Sequence, residues 1–220
     1  MTNDERHVAS MGLLPLEARK TPITVVGAGS TGSFTVLALA KMGFSNITVW
    51  DFDTVELHNV DNQLYGPNMV GFSKVAALEE VVSQLAGVCI TPWDFPFPLT
   101  EPVKPHEIVI FATDSITSRR EIWDAIKFSP FRALIDSRMA AEQFSVYTVD
   151  PKDFAQQKRY EQTFFPASEA VAERCTEKSI MYTPLILGGV IANQVKRILA
   201  GNTVKPAITM SMKEYQIVFM

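Results

Sequence analysis

The chain has 220 residues, of which 47% are hydrophobic and 20% charged, with a formal net charge of -4. That is enough apolar mass for one substantial core, and the lack of a long basic run excludes nucleic acid as the default partner. Two cysteines, Cys89 and Cys175, stand outside any CxxC pair, which argues against both a disulfide framework and a cysteine-rich structural zinc site. The polar start MTNDERHVAS lacks the apolar heart of a signal peptide, and no run reaches the roughly 18 apolar residues of a membrane span. The expectation is a cytoplasmic protein with no membrane contact.

In chain order, MGLLPLEARK reads as a short helix or an arm. Its apolar residues Met11, Leu13, Leu14 and Leu16 either cover their own sheet or reach across a dimer. Ile23 to Val26 is a short apolar strand, followed by the turn Gly27-Ala28-Gly29-Ser30-Thr31-Gly32 and a mostly apolar helix to about Lys41. A second strand, Ile47 to Trp50, ends on Asp51. A strand, a glycine turn, a helix and a parallel strand form the unit that presents backbone N–H groups to a phosphate at a helix N-terminus. In it Gly27 and Gly29 take turn geometries, Gly32 lets the helix approach the sheet, and Asp51 can reach a ribose hydroxyl.

The polar stretch 54–74 cannot be a buried element, and loops at that strand end carry function in open α/β sheets. Lys74 to Leu85 reads as a helix with Val75, Leu78, Val81, Val82 and Leu85 on one side. Val88 to Thr91 is expected to be a strand that buries Cys89, and the five prolines in 92–105 make a rigid loop. The compact run Glu107 to Ala112 is a central parallel strand ending at Thr113-Asp114. Ile116 to Ile126 is a helix, Phe131 to Asp136 the next strand, and the alternating stretch Glu142 to Val149 an antiparallel one. Residues 151–178, charged and weakly patterned, are expected to be a partly helical, mobile crossover. Ile186 to Leu199 reads as a long helix whose Gly188, Gly189 and Ala192 allow close packing, and Pro206 to Met220 as a terminal strand or two. The fold class is therefore α/β: a Rossmann-like, mostly parallel sheet flanked by helices, with an antiparallel C-terminal part.

Four features converge on one sheet edge: the glycine turn for phosphate, Asp51 for ribose, the loop 54–74 with Asn59, Asn62, Gln63 and Lys74, and Asp114 opposite. A lysine beside a glycine turn neutralises phosphate charge, and an aspartate nearby can hold Mg²⁺ bridging phosphate oxygens. This favours ATP chemistry over hydride transfer, for which the second half offers no clear proton donor. A nicotinamide-dependent oxidoreductase would share the glycine turn and leave the loop 54–74 without a role.

These motifs resemble the ubiquitin-activating E1-like superfamily, the group containing the ThiF, MoeB and HesA adenylyltransferases. In that family the glycine turn is followed by D-x-D-x-V, N-L-x-R-Q, G-x-x-K and a strand ending in aspartate. Here the order is Asp51-Phe52-Asp53-Thr54-Val55, Asn59-Val60-Asp61-Asn62-Gln63, Gly71-Phe72-Ser73-Lys74 and Thr113-Asp114. The similarity covers about residues 15–202 and implies a single adenylation domain over 1–220. It implies that Asp51, with Asp53 beside it, holds the ribose, that Asn59 and Lys74 contact the phosphates, and that Asp114 positions magnesium. The implied reaction is adenylation of the C-terminal carboxylate of a small ubiquitin-like or sulfur-carrier protein, whose flexible tail must thread to the α-phosphate, with release of pyrophosphate. A homodimer burying the Gly188–Leu199 helix is implied too.

Phe164-Phe165-Pro166 resembles the family's L-F-P segment, and Cys175 stands where thiamine-type members form a covalent bond with their carrier. The chain departs from the pattern elsewhere. Asn62 replaces the loop arginine, and an amide cannot replace a charged fork. The R-Y-x-R-Q arm is missing, Ser115 stands where the family has asparagine, and there are no zinc-binding cysteine pairs. Either Arg119, Arg120 or Arg138 substitutes for the lost arginine, with Arg119 and Arg120 one turn beyond Asp114, or the protein is a catalytically impaired nucleotide-binding scaffold. A tRNA-modifying relative is a further reading, against which the absence of a basic surface counts.

Overall fold

A computed structural model describes residues 12–99, 108–165 and 180–219. The chain runs through β1 (Ile23–Val26), α1 (Ser30–Lys41), β2 (Ile47–Trp50), α2 (Lys74–Ala86), β3 (Thr91–Trp93), β4 (Ile108–Phe111) and α3 (Ile116–Ile126). It continues through β5 (Ala133–Ala140), β6 (Gln143–Val149), α4 (Phe154–Glu161), α5 (Tyr182–Leu199), β7 (Ala207–Ser211) and β8 (Gln216–Phe219). The strands form one sheet in the order β3-β2-β1-β4-β5-β6-β7-β8. β1 to β5 pair parallel, while β6, β7 and β8 add antiparallel. The α/β class and the antiparallel C-terminal part agree with the sequence reading.

The apolar runs explain the layering. β1 and β4 are buried at every position, as parallel strands covered on both faces must be. Ile23, Val25, Ile108 and Ile110 join one core with Leu39, Leu78 and Ile191 from α1, α2 and α5. Val26, Val109 and Phe111 face the other core, with Ile122 and Trp123 of α3 and Tyr160 of α4. A Cβ on Gly188 would lie 3.0 Å from the backbone of Phe34 and Thr35, so this glycine lets α5 lie against α1. No helix among the described residues is long and apolar enough to cross a membrane.

Several local expectations change. The third strand begins at Thr91, not Val88, because Gly87 ends α2 in a left-handed conformation and residues 88–90 are needed to reach the sheet. Cys89 is consequently exposed rather than buried. Pro92 is tolerated inside β3 because, among the described strands, β3 pairs only with β2. The loop 54–74 contains no long element but sends Val55, Asn59, Tyr65 and Met69 into the interior. In the crossover, 154–161 is the helix α4, capped by Asp153 through Ala155 N–H and Gln156 N–H. The rest of the crossover from 166 on, with Pro166 and Cys175, lies outside the described residues, as do the first eleven residues.

Candidate functional site: a glycine turn braced at a strand end

The topology puts β1 between β2 and β4, and sheets of this kind bind ligands beyond the carboxyl ends of the strands where the order reverses. Gly27 has φ +102°, and a Cβ there would be 2.7 Å from the carbonyl oxygen of Ala112. At Gly32 a Cβ would lie 1.9 Å from the carbonyl oxygen of Gly27. Both glycines are sterically required by the protein itself. Gly29 is different: a Cβ there would meet nothing within 4 Å. It stands at the N-cap of α1, which has no side-chain cap and no acidic residue in its first turn. No side chain caps the N-terminal N–H groups of α1, and uncapped helix N-termini are the usual place for anion binding.

Asp51 faces that turn. Its Oδ2 accepts from Ala28 N–H at 2.6 Å and its Oδ1 from Asp53 N–H at 2.8 Å. Burial pushes its carboxyl above the usual carboxylate range, against the opposing pull of those two hydrogen bonds and the Lys74 charge. Lys74, at the start of α2, is only 8% exposed and pairs with the half-open Asp53 at 2.7 Å. The backbone fixes this pairing, since Lys74 N–H donates to Asp53 carbonyl at 2.9 Å and Thr54 bridges Ser73. The structure therefore brings Gly27, Gly29, Gly32, Asp51, Asp53 and Lys74 to one place.

The loop residues divide. Asn59 is buried and its Oδ1 accepts from Glu56 N–H at 2.8 Å, so its amide folds the loop. Asn62 is half-buried beside it. Gln63 has its side-chain oxygen buried with no protein hydrogen-bond partner among the described residues, an acceptor that a ligand donor would satisfy. Asp114 is exposed in the turn after β4, just before Ser115, which caps α3 through Ser118 N–H at 3.1 Å.

The arginines are placed otherwise than expected. Arg119 is buried and donates both to Asp136 and to the Thr113 carbonyl. Arg138 donates Nε to Asp136 at 2.9 Å and its two Nη atoms to Thr163 at 2.7 and 2.8 Å, with the Tyr147 ring 4.8 Å away. Tyr160 adds its hydroxyl to Asp136 at 3.1 Å. Asp136, with no exposed surface, accepts from both guanidinium groups, so Arg119 and Arg138 are each engaged by the protein itself. Arg119 also braces the Thr113–Asp114 turn through the Thr113 carbonyl. Arg120 is exposed, 5.7 Å over Phe164.

Sequence reasoning missed Tyr65, whose hydroxyl donates to the Ala28 carbonyl at 2.5 Å. The one available signal was a large aromatic inside a polar loop. It also missed Asp136 as a hub, because a carboxylate closing an apolar strand reads the same whether it faces ligand or arginine.

The model of the ThiF family matches residues 8–220. The chain belongs to the ThiF family. Among curated relatives, this ThiF-family chain is 32% identical over 115 residues to the adenylyltransferase and sulfurtransferase MOCS3 of Anopheles gambiae, a match to 50% of this chain and 26% of the relative. It is 39% identical over 59 residues to ubiquitin-like modifier-activating enzyme 5 of Drosophila erecta, covering 27% of this chain and 15% of that protein. The matches thus span only 26% and 15% of these relatives' lengths. Among solved structures, PaaA superposes with a TM-score of 0.79 at 16% identity, over 99% of this chain and 72% of PaaA. E. coli MccB with ATP gives 0.70 at 13% identity, over 93% and 65% of the respective chains. These likenesses establish the mostly parallel, helix-flanked sheet as the family fold.

Proposed function

We propose that this chain is a single-domain, ATP-dependent adenylyltransferase that activates the C-terminal carboxylate of a small ubiquitin-like or sulfur-carrier protein. The observation behind this reading is the braced crevice: an open, uncapped helix N-terminus at Gly29, Asp51 across from it, and Lys74 held at the rim by Asp53. By name MOCS3 is an adenylyltransferase and sulfurtransferase and ubiquitin-like modifier-activating enzyme 5 an activating enzyme, and MccB has been solved with ATP and, as a separate complex, with AMPCPP and MccA. ATP supplies an α-phosphorus that the carrier carboxylate attacks, with pyrophosphate as leaving group.

The residues fit that group. The N–H groups at Gly29 and Ser30 donate to phosphate, and Asp51 accepts from ribose hydroxyls, which compensates the cost of keeping its carboxylate ionised in a half-buried site. Lys74 exchanges Asp53 for phosphate oxygens. Asn59 and Gln63 bring the loop against the nucleotide. Asp114, exposed after β4, would hold a magnesium ion, which would draw its other ligands from phosphate and water and neutralise phosphate charge. Arg119 acts through the Thr113–Asp114 turn. Cys175 is a candidate covalent acceptor for the carrier. The exposed side of α5, with Met181, Tyr182, Leu185 and Gly189, is the face offered to a second copy in a homodimer. The setting is cytoplasmic, with no nucleic acid or membrane partner and no structural zinc.

A second reading, a nucleotide-binding scaffold with impaired turnover, is favoured by Asn62 together with the commitment of Arg119 and Arg138 to Asp136. The test is calorimetric titration with ATP·Mg²⁺, followed by ATP–pyrophosphate exchange with a carrier bearing a Gly-Gly tail. Lys74→Ala should weaken ATP binding about tenfold or more while costing less than about 1 kcal/mol of stability, because its partner Asp53 keeps about half of its side chain in solvent. Binding without exchange would select the scaffold; no binding in the wild type would end both readings.

A further inference from the structure

The Ala28–Gly29 peptide is the hinge of the phosphate turn, and its orientation has two outcomes. A trans peptide sets its C=O and N–H on opposite sides of one plane. If the Ala28 carbonyl points inward, the Gly29 N–H points outward; if the plane flips, a carbonyl oxygen faces the crevice and repels an anion. Gly29 has no side chain to resist that flip, and the space around its Cα is open. Among the described residues its N–H has no protein acceptor.

The preceding peptide is fixed by Asp51, which accepts the Ala28 N–H at 2.6 Å. Nothing in the glycine motif itself fixes the next one. The residue that does so comes from the loop 54–74. Tyr65, 3% exposed, reaches under the turn and donates its hydroxyl to the Ala28 carbonyl at 2.5 Å. The same loop is tied to the first turn of α1 a second time, because Leu64 N–H donates to Ser33 Oγ at 3.3 Å. Ser33 has no exposed surface and its own hydroxyl donates to the Ser30 carbonyl. Loop and turn are thus registered to one another at two points before any ligand is present. Burial, then the charges of Asp51 and Asp53, hold the Tyr65 hydroxyl well above its usual titration range, so it remains a donor.

We propose that Tyr65 is a positioning residue for phosphate: its hydroxyl holds the Ala28 carbonyl inward and so aims the Gly29 N–H at the anion. The inference rests on the nucleotide-binding reading above and adds a residue outside the glycine motif to it. Tyr65→Phe keeps the ring and removes the donor, and Ser33→Ala cuts the second tie, so the two variants separate the roles of loop packing and peptide orientation.

The measurement is amide hydrogen exchange of the apo protein by NMR, paired with ATP·Mg²⁺ titration of the same samples. In Tyr65→Phe, exchange at Ala28, whose N–H is bonded to Asp51, should rise about fivefold or more with the β1 amides Thr24 and Val25 unchanged, and the Kd for ATP should rise about fivefold, the size expected for one hydrogen bond. Ser33→Ala, which leaves the Tyr65 hydroxyl in place, should change the Kd by less than twofold. An unchanged Kd in Tyr65→Phe, with a wild type that binds, would overturn this inference alone. So would equal loss of protection in β1 and the turn, which marks a merely structural tyrosine. A wild type that binds no ATP would overturn the nucleotide reading and this inference together.

Discussion

The carboxyl ends of β2 and of β5 both gather charge, and they spend it in opposite ways. At the first, Asp51, Asp53 and Lys74 use backbone N–H groups and one ion pair as braces, and Asp53 keeps about half of its side chain exposed. At the second, Asp136 is fully buried and receives Arg119, Arg138 and Tyr160. Every one of those groups is satisfied within the protein, and Arg138 is further enclosed by Tyr147 and Phe164, whose rings lie 4.8 and 5.3 Å from it. A charge at a strand end is therefore not by itself a functional group. What distinguishes a binding edge is the capacity left over: an open position at Gly29, an orphaned Gln63 oxygen, and a lysine whose partner can be exchanged.

The contrast can be broken most forcefully at Asp136. Asp136→Ala leaves two guanidinium groups without their shared carboxylate, and removing one partner of a buried ion pair costs about 3–5 kcal/mol. Urea unfolding should show that loss in full; a cost below about 1 kcal/mol would mean that the hub is dispensable. Next comes a pair of glycine substitutions within a single turn. Gly32→Ala forces a Cβ against the Gly27 carbonyl and should destabilise by about 3 kcal/mol, as overpacking against backbone does. Gly29→Ala meets no protein atom and should change stability by less than about 0.5 kcal/mol, while weakening ATP binding because the added methyl enters the ligand's space. If both alanines behave alike in unfolding and in ATP titration, the distinction between protein-required and ligand-required glycines fails.

The smallest effect concerns pH. Asp51 is raised above the usual carboxylate range, burial being the leading cause, so the folded state binds its proton more tightly than the unfolded chain does. Its contribution is then fully favourable only in acid and is lost as pH rises through the folded pKa. Stability of the wild type relative to Asp51→Asn should fall between about pH 4 and neutrality, then level off. A difference that grows with pH would show that the two backbone hydrogen bonds outweigh burial.

Much of the candidate site was legible in the sequence because it is local. The strand, Gly27–Gly32, α1, β2 and Asp51 occupy one short stretch, and Gly71-Phe72-Ser73-Lys74 announces both the cap of α2 and its lysine. Less legible was anything whose partner is a backbone group or a distant charge. Tyr65 binds a carbonyl 37 residues away, and Arg119 is diverted by Asp136, 17 residues on. Composition shows that such charges exist, and pairing in three dimensions decides which remain available. Element ends slipped for backbone reasons. Gly87 delayed β3 and exposed Cys89, while α5 starts at Tyr182 rather than Ile186 because Pro184 falls within its first turn, where proline is tolerated.

β8 is paired with β7 on one side and with no other described strand. All four of its residues are exposed, three of them the apolar Ile217, Val218 and Phe219. A strand rim of this kind is a template for a foreign strand, which makes β8 a site of self-association at high concentration. Lys213 and Glu214, in the turn just before the strand, are the nearest gatekeepers in sequence, and a lysine placed within the strand would extend that protection along the rim.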